Sequence, residues 1–417
     1  MLDPKYVREH AEEVKRNAAA RHVDVDVDAF LALDAKRAKL LKKVEGIRQE
    51  RNEIAEAMKG KVDDRQAKIE AGKVLKETLA KEETKLKKMD SEWGGLLARL
   101  PNRSHKDAPL GGTDAQNIEI RKHGKPAKSG KTHEELVGHL IDFERGAKVA
   151  GSKFYFLKNE LAILEQALLR YGIDFAMQEG FEFMTVPEVA KEAVLVGKGF
   201  LPRGPEKQVY FVEGEDLALI GTAEIPLLGY HMGETLADDE LPKKYAAFSH
   251  CFRTEAGTYG KESAGLYRVH QFAKVELFAY ALPDQSDGML EEFVRLQEAF
   301  WKSLEIPYRV VDCATGDLGG SDYRRYDIEA WMWSRNGGKG GWGEITSASN
   351  CHEYQARGMG IHVKKKDGER VFAHTLNATM AVSPRPLIAI VENHQNADGS
   401  ITIPKALRPY TGFDTIL

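Results

Sequence analysis

Cysteine is scarce in this chain. Only Cys251, Cys313 and Cys351 occur in 417 residues. An odd number, widely separated and without a C-x-x-C pair, argues against a disulfide framework or a zinc knot. Cys351 stands beside His352, but neighbouring side chains of an extended chain point apart, so no zinc is expected. Long hydrophobic runs are also missing. None approaches the roughly 18 apolar residues of a membrane span, and no membrane partner is expected. The opening MLDPKYVREHAEEVKRNAAA is charged throughout and lacks the apolar centre of a signal peptide; a cytoplasmic protein is the expectation. A large net charge is absent too, at −4, yet the charge is unevenly spread. Residues 35–100 hold 18 Lys/Arg against 12 Asp/Glu, and the remainder 42 against 52. A basic appendage on an acidic body suggests a polyanion as partner for the appendage.

With 42% hydrophobic and 30% charged residues, the chain reads as globular, and its length exceeds one ordinary core, so two domains are expected. Residues 1–21 read as helical, with Asp3 and Pro4 as start signals. Leu33, Arg37, Leu40, Val44, Ile47, Arg51, Ile54 and Met58 then follow spacings of four and three. So do Leu75, Leu79, Glu82, Leu86, Met89, Trp93, Leu96 and Leu100. Two such stretches separated by GKVDD at 60–64 predict an antiparallel helical hairpin. Arg37, Arg51 and Glu82 interrupt the seam and are expected to pair or to snorkel at its edge. A dimerising coiled coil and a polyanion-binding arm fit this pattern equally. PNRSHKDAPLGG, from 101, reads as the linker. Gly130-Lys131-Thr132 with Gly124 upstream invites a phosphate-loop reading, but five residues separate the glycines instead of four, and no apolar strand precedes them.

Residues 248–280, FSHCFRTEAGTYGKESAGLYRVHQFAKVELFAY, read as two extended runs joined by a glycine-bearing loop at 254–265. In the second run Tyr267, Val269, Ala273, Val275, Leu277 and Ala279 share one side with Gln271, and that side is expected to face a core. Arg268, His270, Phe272, Lys274, Glu276 and Phe278 share the other, a set that belongs on a polar site. In the first run Cys251, Arg253 and Glu255 fall on one side. An antiparallel hairpin of the two presents guanidinium forks suited to phosphate, an aromatic face suited to a base, and carboxylates suited to an amine. A surface ladder of salt bridges is the competing reading.

The string FRTEAGTYGKESAGLYRVHQFAKVE resembles the second signature motif of class II aminoacyl-tRNA synthetases, and within them the seryl-tRNA synthetases, for which RVHQF.KVE is close to diagnostic. The resemblance implies an α+β fold, an antiparallel sheet flanked by helices, with an N-terminal antiparallel two-helix coiled-coil arm. It implies a tRNA-binding arm at 1–103 and a catalytic domain at 104–417. The implied activity is serine–tRNA ligation through seryl-adenylate, extended to tRNA(Sec) as well as tRNA(Ser). By resemblance Arg253 holds the α-phosphate and the serine carboxylate, Glu255 meets the adenine edge with Thr254 beside it, Arg268 and Val269 lie along the phosphates, Phe272 stacks on adenine and Glu276 receives serine.

Other stretches extend the resemblance over nearly the whole chain. LALIGTAEIPLL at 217–228 reads as an apolar strand interrupted by Thr222, Ala223 and Glu224, the triplet that binds serine in the family. Residues 149–169 read as an amphipathic helix, and GFEFMTVPEV as the first class II motif, which implies a homodimer. By the same resemblance GWGEITSASNC implies Glu344, Ile345, Thr346 and Ser347 as ATP ligands, with Glu344 and Ser347 assigned to Mg²⁺. Positions three apart in a regular strand face opposite ways, so this pair requires a bulge. VFAHTLNATMAVSPRPLIAIVENHQ resembles the third motif, in which Asn377 and Thr379 close around serine and Arg385 binds the γ-phosphate; Ser383 is expected to cap the helix that follows. Ala264, Trp342 and His394 depart from the family pattern. A relative that loads a carrier protein, and a noncatalytic RNA-binding relative, are the alternative functions. The basic arm argues against the first and the retained arginines against the second.

Overall fold

The computed structural model describes residues 1–59, 64–199, 209–256 and 265–417. They form two compact units, Leu2–Pro101 and Asn102–Leu417, the latter joined by Met1.

In the first unit Asp3 caps α1 (Pro4–Glu9), its carboxylate accepting from the Lys5 amide at 2.7 Å. The single helix expected here breaks at His10 and resumes as α2 (Ala11–Ala20). Two long helices follow, α3 (Val27–Ala57) and α4 (Arg65–Arg99). Ion pairs Arg37–Asp90, Lys43–Glu82 and Arg48–Glu83 join early residues of one to late residues of the other, so the helices run antiparallel. Val44, Ile47, Leu79 and Leu86 form their core. Two of the polar interruptions behave as expected: Arg37 donates to Asp90 at 2.6 Å and lies over the Trp93 ring, while buried Glu82 meets Lys43 and Lys85; Arg51 is exposed. Near its end the seam buries Leu97 where the heptad count names Leu96. A straight helix drifts about 20° per heptad, enough to pass the contact to the next residue. Most of the GKVDD turn, 60–63, lies outside the described residues.

The second unit is built on an eight-stranded sheet: β1 (Ile118–His123), β2 (Glu182–Thr185), β3 (Lys243–Phe252), β4 (Gln271–Ala281), β5 (Tyr308–Asp312), β6 (Arg324–Met332), β7 (Gly341–His352) and β8 (His374–Ser383). The order is β1-β5-β6-β7-β8-β4-β3-β2, antiparallel except where β2 joins β3. Helices α5 (His133–Val137), α6 (Phe143–Ala150), α7 (Asn159–Gln178), α8 (Glu192–Lys198), α9 (Glu224–Gly229), α10 (Ser286–Ser303), α11 (Tyr354–Met359) and α12 (Arg385–Asn393) flank it. The predicted alternation sets the packing. Ala273, Val275, Leu277 and Ala279 enter the main core with Leu161, Leu164 and Leu168 of α7 and Phe293 of α10. Each such buried valine, leucine or phenylalanine contributes roughly 1.5–3 kcal/mol.

Three local expectations are corrected. The helix expected over 149–169 starts only at Asn159, because the chain turns at Gly151 and Lys153, both at positive φ; Phe154 and Leu157 lie outside it. The strand expected around Thr222 is short, Ala218–Leu219, and Glu224 instead opens α9. Thr222 Oγ1 accepts from the Glu224 amide at 3.2 Å, a local turn that competes with extended structure. Finally, Phe278 does not line a polar site; it packs with Tyr280, Leu227 and Tyr245 in a second core.

A column of rings, Tyr323, His352 and His374, stacks beside Asn350 and Ser286, with centroids 3.5 and 4.4 Å apart. Burial pushes His352 down to about 2, with His374 adding to the fall, and burial pushes His374 itself down to about 4. Both are neutral when folded but titrate near 6.5 when unfolded. The unfolded chain therefore binds more protons below that pH, and stability falls as pH drops from about 6.5 towards 4, by up to about 1.4 kcal/mol per unit for each histidine. Urea midpoints measured between pH 7.5 and 5 should show this slope, and His374→Asn should flatten it; an unchanged slope in the variant would contradict the assignment.

Candidate active site

Strands β3 and β4 pair from Lys243↔Tyr280 to Phe252↔Gln271, which makes the predicted hairpin real. Arg253 follows β3. Its backbone stays tied to the partner strand, the amide donating to the His270 carbonyl at 2.9 Å. Its guanidinium lies 5.1 Å over the Phe272 ring and donates through Nε to the Gly221 carbonyl at 3.2 Å. Glu255 leaves the expected alternation, because β3 ends at Phe252 and Glu255 itself sits at φ 48°. The turn brings its carboxylate to Arg268, 3.0 Å away. Residues 257–264 of the connecting loop, Ala264 included, lie outside the described residues.

A cavity of about 140 Å³ opens on this face of the sheet. Of the residues assigned to ATP, Arg253, Glu255, Arg268, Val269, Phe272, Glu344, Ile345, Ser347 and Arg385 line it, as does Thr379 from the serine set. Glu344 and Ser347 reach the same cavity because β6 and β7 shift register: Ile328 pairs with Thr346 but Glu329 with Glu344. Ile345 is the extra residue of a β-bulge, the device the spacing demanded. Thr346 turns away, and its hydroxyl accepts from the buried Trp301 indole at 3.0 Å. Thr254 is not part of the cavity wall either.

Arg385 begins α12 directly after β8. It donates to the Glu344 carbonyl at 2.9 Å and carboxylate at 3.1 Å, and lies 4.2 Å over the Tyr267 ring. Burial opposes the charge on both members of this pair, yet each holds its ionised form. Glu344 is lowered by Arg385, Arg325 and Arg253, and Arg385 is raised by Tyr267 and Glu344. Ser383 does not cap α12; its hydroxyl donates to Glu165 of α7, and Pro384 takes the cap position.

The remaining serine-set residues gather beside the cavity. Glu276 is the cross-strand partner of Thr379 and pairs with Lys274 two residues before it. Burial raises the Glu276 pKa against the pull of Lys274, with nearby Glu224 adding to the rise. Glu224 accepts from Gln355 at 2.7 Å and Asn377 at 3.1 Å and pairs with Lys198 at 2.9 Å. Ala223, fully buried, precedes Glu224 at the start of α9. The result is two neighbouring carboxylates, Glu224 and Glu276, each paired with its own lysine beside the cavity.

Sequence reasoning missed Tyr267, Lys198 and Gln355. Tyr267, expected on the core side, packs against the main core but also lines the cavity. It lies in a turn, Gly265–Tyr267, where period two no longer holds. Its ring is held between Arg385 and Arg335, the latter 4.5 Å away. Nothing local in the sequence ties Lys198 or Gln355 to Glu224. One acidic cluster has metal-like spacing among the described residues, Cys313, Asp317 and Asp327, but Arg325 spans both carboxylates at 2.8–2.9 Å and supplies the cation.

Comparison with known proteins agrees with this geometry. Residues 210–394 match the family described as tRNA synthetase class II core domain (G, H, P, S and T), so sheet and cavity are those of a class II aminoacyl-tRNA synthetase. Residues 1–103 match the seryl-tRNA synthetase N-terminal domain. A serine–tRNA ligase of Treponema denticola is 46% identical with full coverage of both chains, and one of Rubrobacter xylanophilus is 45% identical over 100% of this chain and 99% of the relative. The crystal structure of seryl-tRNA synthetase from Pyrococcus horikoshii complexed with ATP superposes with a TM-score of 0.86 at 37% identity, covering 100% of this chain and 99% of that one. The chain belongs to the seryl-tRNA synthetases, ATP-dependent ligases that activate serine as seryl-adenylate and pass it to tRNA.

Each flanking guanidinium contributes on the order of 0.5–2 kcal/mol to holding the Tyr267 ring. Tyr267→Ala should therefore raise the KM for ATP in serine-dependent ATP–pyrophosphate exchange about tenfold, with Tyr267→Phe close to the parent. An unchanged KM in the alanine variant would remove Tyr267 from the site.

Proposed function

We propose that the cavity is where serine and ATP react, with the residue roles the family resemblance implies. One observation carries the reading: Arg253 and Arg268 from one hairpin and Arg385 from the distant start of α12 line a single cavity together with Phe272, Glu344 and Ser347. Arg253 bridges serine carboxylate and α-phosphate, Phe272 stacks on the adenine, Arg385 binds the γ-phosphate and packs on the adenine, and Arg268 meets the distal phosphates. Glu276, Glu224, Thr222, Asn377 and Thr379 receive serine. Formation of the adenylate needs no protein nucleophile. The protein aligns the carboxylate with the α-phosphorus and counters the charge that grows there.

The Glu344–Ser347 pair fits Mg²⁺. Both are oxygen donors on one cavity wall, and Glu344 is held ionised by three arginines, as a hard cation requires. When bound, the ion neutralises phosphate charge. At other times Arg385 occupies Glu344.

The same reading assigns residues 1–103 to tRNA(Ser) through the helical arm, read by shape and phosphate contacts because RNA helices hide their base edges, and 104–417 to catalysis. It also makes the enzyme a cytoplasmic homodimer; among the described residues no helix is long and apolar enough to cross a membrane. Edge strand β2 and the exposed Ile163 and Met177 of α7 support a dimer contact there. Serine-dependent ATP–pyrophosphate exchange tests the core of the proposal. Arg253→Ala should lower its rate at least about a hundredfold, the scale of removing one transition-state donor, without loss of folded signal by circular dichroism. Near-normal exchange would refute the role.

A further inference from the structure

Residues 121–131, RKHGKPAKSGK, contain five Lys/Arg and no acidic residue. Nothing in the activation chemistry uses them. Arg121 is neutralised by Glu298 at 3.1 Å. Among the described residues, Lys122, Lys125, Lys128 and Lys131 have no carboxylate within ion-pairing distance, and all four are exposed. An acidic protein thus keeps four unpaired cations on one short ribbon.

The ribbon is anchored to the catalytic scaffold at both ends. At one end it is β1, and the cross-strand neighbours Lys122, Arg309, Glu329 and Glu344 run side by side over β1, β5, β6 and β7. They share the face that bears the cavity. On that face Lys122 lies 4.7 Å over the Trp342 ring and Arg309 5.6 Å from it. At the other end, the Lys131 amide donates to Gln395 at 2.8 Å, and the His133 amide donates to Glu392 of α12 at 2.8 Å. Glu134 and His133 also press on Gly265, where the chain re-enters the site from the β3–β4 loop: a Cβ there would meet Glu134 at 2.7 Å. The lysines therefore follow an ordered path from the edge of the sheet to the rim of the site.

We propose that this ribbon is a phosphate-binding track for the tRNA as its acceptor end approaches the cavity, separate from the helical arm. Exposed ammonium groups bind a nucleic-acid backbone as point charges without reading sequence. The inference rests on the tRNA-charging reading of the site.

The test is the triple variant Lys125→Ala/Lys128→Ala/Lys131→Ala, whose side chains leave the core untouched. It should keep serine-dependent ATP–pyrophosphate exchange at the parental rate while raising the aminoacylation KM for tRNA(Ser) about tenfold. It should also flatten the plot of log KM against log salt by roughly two, since each phosphate contact contributes about 0.7–0.9 to that slope. Lysine-to-arginine changes at the same positions should restore both. An unchanged KM and salt slope would overturn the proposal and leave the ribbon an ordinary solvated face. A parallel fall of exchange and charging would overturn it too, by placing the lysines in activation. Absence of exchange in the parent protein would instead refute the reading of the cavity.

Discussion

Strand β4 has to satisfy two environments at once. Its small and aliphatic side chains, Ala273 to Ala279, close the main core against α7 and α10. Between them Lys274 and Glu276 project from the opposite face, almost fully buried and paired to each other. Isolated charges at that depth would cost several kcal/mol each; as a pair beside Thr379 and Glu224 they are tolerated. Period two forces this division, and every other part of the site is arranged around the face it creates: β3 brings Arg253 from one side, while β8 and β7 bring Thr379, Glu344 and Ser347 from the other.

Regular pairing alone would not complete the cavity. Bulges at Ile345 and at Met380 break the ladders of β7 and β8. The first re-aims Glu344 onto the face of Ser347, where Arg385 meets it. Arg385 arrives by a different route, at the junction where β8 gives way to α12 and Ser383 is fixed to Glu165 rather than capping the helix. The arginines keep Glu344 ionised without substrate, so the electrostatic arrangement that phosphate would meet under the proposed roles exists before it binds. Such preorganisation is the main physical resource of a reaction that uses no protein nucleophile.

Much of this was legible in advance, for identifiable reasons. The β3–β4 hairpin and its two faces follow from alternation, the α3–α4 pair from heptad spacing, and the bulge from the demand that Glu344 and Ser347 act together. Prediction failed where the regular period stops. Tyr267 lies in a turn, Glu255 at positive φ, and Glu224 at the head of a helix opened by Thr222. The amphipathic pattern at 149–169 ran across Gly151, where the backbone turns sharply.

By itself the sequence determined which residues alternate, which helices carry a seam, and which motifs tie the chain to its family, because these depend on local period and residue chemistry. Tertiary structure decided which distant groups meet. Lys198 and Gln355 reach Glu224, Tyr267 lies between Arg335 and Arg385, and the lysine ribbon reaches the rim of the site through α5 and α12. Those contacts link residues up to 264 positions apart, as in Lys131 to Gln395. No local periodicity records such pairings; they arise only when the sheet order brings the strands side by side.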